Sequence, residues 1–374
     1  MSSHALLSPS SSSRWLMCPP SARLCEGIED KTSSFAEEGT DAHTLCEYKV
    51  NKALGYKVEN PTGNLQYYNE EMENCAEEYT AFVLETFQKE KDEGKGPLII
   101  TEQRLDITRY VPECRGTGDC IIIADKSLHI IDFKYGQGLP VSAEQNTQMM
   151  LYALGALEMF SSLYEVEEVS MTVFQPRLAN ISTFHLTTQE LTHWADSYLA
   201  PRAEMAFTGE GEFCSGSHCR FCRVKGTCRK RAEENLELAK YEFEEPALLR
   251  DEEIAEILTK VEELVSWVND IKGYGFSVLS RGGKLEGFKL VEGRSVRKYT
   301  DEDSVAQAVS EEGFDPYEHK VLGITAMTEL LGKARFNEIL GSCIYKPKGK
   351  PTLVPESDKR PAITIDDFND MEEK

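Results

Sequence analysis

Two short apolar runs carry ionisable side chains at positions where a strand packed on a core ordinarily has apolar or neutral residues. The runs are "GDCIIIA" and "SLHIIDFK", and Asp119 lies in the first while Asp132 and Lys134 lie in the second. A turn at "DK" between them would place Asp119 directly opposite Asp132, with paired Cβ atoms about 4.5–5.5 Å apart. Two like charges at that distance are unfavourable unless a cation lies between them. The pattern therefore predicts a metal site on a β-hairpin.

Lys134 adds an ammonium to the same face, because side chains in a strand alternate with period two. A divalent cation held by two carboxylates beside an ammonium can bind a phosphate oxygen, activate a water molecule and offset negative charge. These are the requirements of phosphodiester hydrolysis. The alternative is a pair of solvent-exposed carboxylates on an edge strand, because a register shift of one residue would turn the wrong face to the site.

Helices and strands of the first two thirds must position this hairpin. Apolar periodicity predicts helices in "SSFAEEGTDAHTLCEYKVNKALG", in residues 69–93 and in residues 143–160. Strands are predicted in "GPLIITEQRLDI", in the hairpin and in "EVSMTVFQPR", followed by a short strand and a helix. We therefore expect an α/β (α+β) core, a mixed central sheet flanked by helices, over residues 1–235.

The C-terminal third carries no motif that points to chemistry. A long amphipathic helix is predicted from Asp251, followed by a hairpin-like segment and two further helices. We expect a smaller α+β region of unknown role over residues 240–345. Residues 346–374 are rich in Pro, Lys and acids, which predicts a flexible, acidic tail.

Composition limits the class of protein. The 374 residues carry a formal charge of −23, which argues against a surface coated in basic residues for non-specific nucleic-acid binding. One segment, "CRFCRVKGTCRKR", is locally basic and could contact DNA in a groove or simply solvate a helix end. No segment approaches the ~20 apolar residues of a membrane helix. No secretory signal is evident, so we expect a cytoplasmic protein without membrane contact.

Three of the eleven cysteines have a spacing typical of metal ligands. Cys219, Cys222 and Cys228 are separated by two and then five residues. In a chain without an export signal, such thiols more often bind a metal or a cluster than form disulfides. The spacing suits an iron–sulfur cluster or tetrahedral zinc, and Cys214 with these three could form a purely local zinc site.

Four motifs occur in an order that resembles a known family. They are "GTDAHTLCE" from Gly39, "GTGD" ending at Asp119, "DFK" from Asp132 to Lys134, and "QMMLY" from Gln148 to Tyr152. Over residues 10–235 this order is similar to the RecB-like branch of the PD-(D/E)xK nuclease superfamily. The resemblance implies a restriction-endonuclease-like core. The whole chain also resembles an uncharacterised group of phage and prophage proteins.

The resemblance implies a metal-ligand set. His43 would join Asp119 and Asp132 in binding Mg²⁺ or Mn²⁺, and the backbone carbonyl of Phe133 would supply a further oxygen. Glu47, one helical turn after His43, could hold a second metal ion or a water molecule.

The resemblance also assigns roles around these ligands. Gln148 and Tyr152 share a helical face and would position DNA or Lys134; without the family, the pair would read as an ordinary core edge. Glu102, on the strand before the hairpin, is a weaker candidate whose alternative is an exposed surface acid.

Members of this branch often carry an iron–sulfur cluster held by cysteines from both ends of the nuclease domain. Cys219, Cys222 and Cys228 match the trailing three ligands, and Cys18 in "RWLMCPPS" matches the leading one. The resemblance therefore favours a [4Fe–4S] cluster that joins the two chain ends, with Zn²⁺ as the alternative.

We therefore expect a metal-dependent deoxyribonuclease, an exonuclease that acts on DNA ends or single strands in phage recombination or replication. A phage single-strand annealing or replication protein would be a partner. One alternative is a catalytically silent module that binds DNA or a partner through a nuclease fold. Another is a sequence-specific endonuclease, for which the C-terminal third would supply target recognition.

Overall fold

The structure is a computed structural model. It describes residues 5–28, 34–237, 249–292, 299–317 and 320–345, together with residues 354, 358 and 361. The chain divides into two compact units, Met1–Lys284 and Leu285–Lys374. The predicted tail at residues 346–374 falls almost entirely outside the described residues.

A five-stranded sheet forms the centre of the first unit. Its strands are β1 (Leu98–Asp106), β2 (Arg115–Ala124), β3 (Ser127–Phe133), β4 (Glu168–Gln175) and β5 (Asn180–Thr187), and they lie in that order across the sheet. Neighbours run antiparallel except β3 and β4, which are parallel. A parallel pair needs a crossover connection, and helix α5 (Thr147–Phe160) lies in it. The predicted mixed sheet flanked by helices is confirmed.

The β2–β3 hairpin has the predicted register. Ala124 pairs with Ser127 and Cys120 pairs with Ile131, so the next pair in this register is Asp119 opposite Asp132. Lys126 makes the turn in the left-handed backbone region, with φ 64°. The two-residue turn fixes this register, and a shift of one residue would turn every side chain to the opposite face of the sheet.

The described residues of the first unit form eight more α-helices. They are α1 (Ser12–Met17), α2 (Ser21–Leu24), α3 (Ser34–Ala53), α4 (Glu70–Asp92), α6 (Thr188–Trp194), α7 (Ala200–Thr208), α8 (Arg229–Leu236) and α9 (Asp251–Ser280). The side chain of Asn69 caps α4 by accepting from the backbone N–H of Met72 at 2.8 Å. Among the described helices, none is both long and apolar enough to cross a membrane.

The central strands of the sheet are buried on both faces, which explains the nearly continuous apolar run of β2. Ile121 and Ile123 pack with α5 and the N-terminal helices, whereas Cys120 and Ile122 pack with α3 and α4. By this alternation Asp132 follows on the α5 face where β3 ends, whereas the side chain of Asp119, midway along β2, reaches His43 of α3. The acids therefore lie at the end of a buried hairpin rather than on an exposed edge.

The second unit contains three short helices among its described residues, one more than predicted. They are α10 (Glu302–Glu311), α11 (Ile324–Leu331) and α12 (Lys333–Leu340). The described residues of the hairpin-like segment, 284–292 and 299–300, contain an isolated bridge between Leu285 and Phe288. The predicted boundary near residue 235 stays a prediction, although α9 beyond it packs against α8 in the first unit.

Candidate metal centre and cysteine cluster

Asp119 is the point where the hairpin and helix α3 meet. Its Oδ2 accepts a hydrogen bond from the backbone N–H of Phe133 at 2.7 Å, which ties the two strands together beyond their regular ladder. His43 Nδ1 lies 3.4 Å from the same oxygen. The His43 ring also packs edge-on against the ring of Phe133, with centroids 5.5 Å apart. The first and second motifs are therefore in contact.

Glu102 enters the site through an unusual backbone conformation. It lies within β1, between residues that keep the regular β1–β2 pairing, yet its φ is 47°. That left-handed region is costly for a residue with a Cβ, and such strain concentrates at functional sites. Glu102 Oε1 lies 4.0 Å from His43 Nδ1. Possible ligand atoms of His43, Glu102 and Asp119 all lie within 4.8 Å of one another.

Asp132 lies beside this group and is only 2% exposed. Lys134 Nζ lies 3.3 Å from its Oδ1 in a hydrogen bond and 2.9 Å from its Oδ2. The second contact is an ion pair without hydrogen-bond alignment, so Oδ2 receives no hydrogen bond from the described residues. A buried carboxylate oxygen without a donor calls for an explanation, and an unseen cation is one.

The predicted motif on α5 supports Lys134. Lys134 Nζ lies 3.5 Å from Gln148 Oε1, and Gln148 Nε2 donates to the hydroxyl of Tyr152 at 3.0 Å. Tyr152 itself is buried, and burial raises its pKa to about 12, so the hydroxyl stays protonated. The sequence left open whether this pair positions DNA or Lys134. In the structure Gln148 contacts Lys134, and Tyr152 contacts Gln148.

The site concentrates negative charge. Burial, with the charge of Asp132, raises the pKa of Asp119 to about 6, although His43 and Lys134 act in the opposite direction. Burial and the charges of Asp119 and Glu47 raise the pKa of Glu102 to about 7. Burial alone would lower the pKa of Lys134, but Asp132 and Asp119 outweigh it and raise that pKa. One ammonium thus faces several carboxylates.

These donors fit a divalent cation. The close group of ligand atoms comprises the carboxylates of Glu102 and Asp119 and the imidazole of His43, and Asp132 does not belong to it. Mn²⁺ accepts such oxygen and nitrogen ligands, while Mg²⁺ would depend mainly on the oxygens. The charge of Glu47 helps to raise the pKa of Glu102, and its role in holding a second metal ion or a water molecule stays a prediction. The N–H of Phe133 is used by Asp119, and its carbonyl as a ligand stays a prediction.

The cysteines predicted to act together line one small cavity. Cys18 follows α1, Cys219 and Cys222 lie in and after the 3-10 turn Ser217–Phe221, and Cys228 directly precedes α8. These four thiols and Cys214 border the cavity. The chain before β1, which carries Cys18, therefore meets the chain after β5, which carries the other three cysteines.

Two neighbours of the cluster were missed in the sequence. Cys25 Sγ lies 3.8 Å from Cys222 Sγ, and both are buried. His218 Nε2 lies 3.8 Å from Cys219 Sγ, and contacts with Cys18 and Cys219 raise the pKa of His218 to about 10. The available signals were the adjacency of His218 to Cys219 and a second cysteine seven residues after Cys18.

The spacing of these groups bears on the cofactor. Thiolates on one tetrahedral zinc ion lie about 3.8 Å apart, given a Zn–S bond of about 2.3 Å. The pair Cys25 and Cys222 matches that distance, but no third Cys, His or acid in the described part of the chain lies within 4.8 Å of both. The pair therefore does not by itself complete a tetrahedral zinc site.

Several residues of the basic segment make ion pairs and hydrogen bonds within the protein. Arg231 is 1% exposed and pairs with Asp270 of α9 at 2.6 Å, and Lys225 pairs with the same carboxylate at 2.9 Å. Arg223 donates to the backbone carbonyls of Cys25 and Ile28. The surface that could contact a polyanion is therefore smaller than the sequence indicated.

Comparisons with known proteins give a family but no activity. A solved structure described as "Crystal structure of SSO0001" is 16% identical, covers 50% of this chain and 95% of its own, and has a TM-score of 0.22. A score of that size does not establish a shared fold. The model of a family described as "Protein of unknown function (DUF2800)" matches residues 4–361. Because this match spans nearly the whole sequence, the chain belongs to the DUF2800 family.

Proposed function

We propose that this protein is a metal-dependent deoxyribonuclease with a RecB-like PD-(D/E)xK core. The observation that carries the proposal is the buried Asp132 carboxylate, which has one oxygen without a hydrogen-bond donor and the Lys134 ammonium beside it. A carboxylate and an amine at the end of a buried hairpin cost folding free energy, and a catalytic role explains their presence. The order of the four motifs supports the family assignment.

His43, Glu102, Asp119 and Asp132 would hold the cation, Mg²⁺ or Mn²⁺. When bound, such an ion polarises a phosphate oxygen and lowers the pKa of a coordinated water molecule. Glu102 extends the ligand set beyond the motif residues, and its strained backbone supports a functional role.

The protein residues supply position and charge. Asp132 and Gln148 hold the Lys134 ammonium at a fixed place, and its raised pKa keeps the proton on Nζ at neutral pH. A fixed ammonium offsets the negative charge that develops on a phosphate during hydrolysis. Tyr152 orients Gln148 through its hydroxyl, so it acts as a positioning residue.

Cys18, Cys219, Cys222 and Cys228 would hold a [4Fe–4S] cluster, with Zn²⁺ as the alternative. The cavity that the four thiols share supports a common ligand for them. Its role would be structural, because it joins the N-terminal helices to the segment that precedes α8. Cluster binding then contributes directly to folding stability.

The substrate would be DNA, at ends or as single strands, in phage recombination or replication, where a strand-annealing or replication protein would be the partner. With a charge of −23, DNA contact must be confined to a groove rather than spread over the surface. A silent binding module is the alternative function. The ion pair between buried Asp132 and partly buried Lys134 argues against it, since binding alone gains nothing from these charges.

The experiment is digestion of end-labelled linear and closed circular DNA by the pure protein, with Mg²⁺, Mn²⁺ or EDTA. An exonuclease degrades the linear substrate with metal and leaves the circle intact. Cleavage of the circle would identify an endonuclease instead. Binding without cleavage under any metal would support the silent module and contradict the proposal.

A further inference from the structure

The loop of residues 135–146 connects two residues of the site that contact each other. It begins directly after Lys134 and leads into α5, which carries Gln148. Lys134 Nζ lies 3.5 Å from Gln148 Oε1, so both ends of the loop lie at the site. The path of the loop backbone therefore affects whether the ammonium and the amide meet.

Gln175, the last residue of β4, holds the first half of this loop. Its side-chain amide donates to the backbone carbonyls of Gly136 at 3.0 Å and of Leu139 at 3.2 Å. The amide oxygen accepts from the backbone N–H of Val141 at 3.1 Å and from Asn180 Nδ2 at 3.1 Å. A carboxamide has two N–H donors and two acceptor lone pairs, so its full capacity for hydrogen bonds is used.

Gln175 is buried, while the part of the loop that it contacts is exposed. Its side chain is 3% exposed, whereas residues 136–140 are all exposed. A buried amide destabilises a protein unless its polar groups are hydrogen-bonded, and three of the partners here are backbone groups of the loop. The carbonyl of Phe174, the residue before Gln175, accepts from the backbone N–H of Lys134 at 2.9 Å. The end of β4 therefore holds Lys134 and the loop together.

The second half of the loop is held by β5 and by the cap of α5. Ser182 Oγ of β5 accepts from the backbone N–H of Ala143 at 2.9 Å. The side chain of Asn146 then accepts from the backbone N–H of Gln148 at 3.1 Å, which caps α5. The position of Gln148 therefore depends on where the loop delivers the first turn of the helix.

We propose that Gln175 is a positioning residue, which fixes the 135–146 loop so that Lys134 and Gln148 stay in contact during catalysis. This inference rests on the proposed function, in which the Lys134 ammonium offsets charge on a phosphate. A loop that contains Gly136 and Gly138 would have many conformations without such contacts. A displacement of about 1 Å in a reacting group can lower a rate by about a hundredfold, so the constraint acts on the rate without any contact to DNA.

The first test is Gln175→Met, which nearly keeps the volume of the side chain and removes its hydrogen bonds. We expect the single-turnover cleavage rate at saturating DNA, with Mn²⁺, to fall by roughly tenfold or more, while the Kd for DNA stays at the wild-type value. Hydrogen exchange of the peptide that covers residues 135–146 should become faster, because the loop opens more often.

Thr172→Val is the matched control. Thr172 is buried in the same strand, and its hydroxyl lies 2.7 Å from His129 Nε2 and 2.8 Å from the hydroxyl of Thr183. This variant should lose stability, as Gln175→Met does, yet keep the wild-type cleavage rate and loop exchange. Melting temperatures of both variants show that each is folded in the assay.

The second test combines Gln175→Met with Gln148→Ala. If Gln175 acts through the contact between Lys134 and Gln148, the two effects are not additive, and Gln175→Met should lower the rate of Gln148→Ala by less than about twofold. Fully additive effects, a wild-type rate in Gln175→Met, or a change confined to the Kd for DNA each overturn this role alone. A wild-type chain that cleaves no DNA with Mg²⁺ or Mn²⁺ overturns the proposed function and this role with it.

Discussion

Lys134 Nζ lies 2.9 Å from Asp132 Oδ2, yet that oxygen receives no hydrogen bond from the described residues. The two side chains are neighbours on one face of β3, and Asp132 is buried while the lysine reaches toward α5. An ion pair that leaves one carboxylate oxygen open can serve a cation and an ammonium at once.

DNA cleavage should therefore depend on both Asp119 and Lys134 of the hairpin. Asp119→Ala removes a proposed metal ligand and Lys134→Ala removes the ammonium, and each should reduce the cleavage rate by about a hundredfold or more. The measurement is the single-turnover rate on labelled linear DNA, with folding checked by circular dichroism. Lys126→Ala, in the turn of the same hairpin and paired only at the surface with Glu167, is the matched control. Full activity in Lys134→Ala would exclude this site.

Replacing Glu102 should stabilise the metal-free protein and weaken its binding of metal. Glu102→Asn keeps a residue that tolerates positive φ and removes an acid from a crowded site, so the metal-free protein should gain about 1 kcal/mol in free energy of unfolding. Its affinity for Mn²⁺ should fall at least about tenfold, since changes around metal ligands already cost that much. Titration calorimetry and urea unfolding in EDTA measure the two effects.

Glu113 offers the matched control for Glu102. It also has a positive φ, 56°, but is exposed in the loop between β1 and β2. Glu113→Asn should change stability by a similar backbone effect and leave Mn²⁺ affinity unaltered. A Glu102→Asn variant that binds Mn²⁺ as the natural chain does would remove Glu102 from the ligand set.

The cysteine cluster should appear in the colour and composition of the protein. Anaerobically purified chain should be brown, with iron and acid-labile sulfide, and Cys222→Ser should lose both together with several degrees of melting temperature. Cys75→Ser, a buried thiol between α3 and α4, should change neither. Cys25→Ser should retain iron if the four cavity thiols are the ligands. A colourless protein with one zinc ion would refute the iron–sulfur assignment and keep the link between Cys18 and the other three.

Stability should decline in mild acid through His129. Burial, with the nearby charges of His185 and Lys89, lowers the pKa of His129 to about 4, while the unfolded chain has the ordinary value of about 6.5. Between these values the unfolded state binds a proton that the folded state does not, so stability is full above pH 6.5 and falls as the pH drops toward 4. The loss should be about 1–3 kcal/mol, measured by urea unfolding.

His129→Gln should remove this part of the acid dependence, because the amide can still meet the Thr172 hydroxyl that lies 2.7 Å from His129 Nε2. His193→Gln, on the exposed surface of α6, is the control. An unchanged acid slope in His129→Gln would assign the decline to other groups.

The sequence by itself determined the hairpin, its register and the α/β layering. A two-residue turn and alternation of buried side chains are local properties, so Asp119 and Asp132 could be placed opposite each other from spacing alone. The motif order predicted that His43, Gln148 and Tyr152 would approach Lys134 and the acids. That prediction came from the family resemblance, because periodicity alone would assign Gln148 and Tyr152 to an ordinary core edge.

Only the tertiary structure decided the remaining contacts. Glu102 reaches the site because a single residue of β1 adopts a left-handed φ, which no sequence pattern marks at a glutamate. Cys25 meets Cys222, and Asp270 gathers Arg231 and Lys225, through packing between segments far apart in the chain. Such pairings depend on how whole helices are docked, and the free energy that docks them is spread over many apolar contacts rather than written in the residues that finally touch.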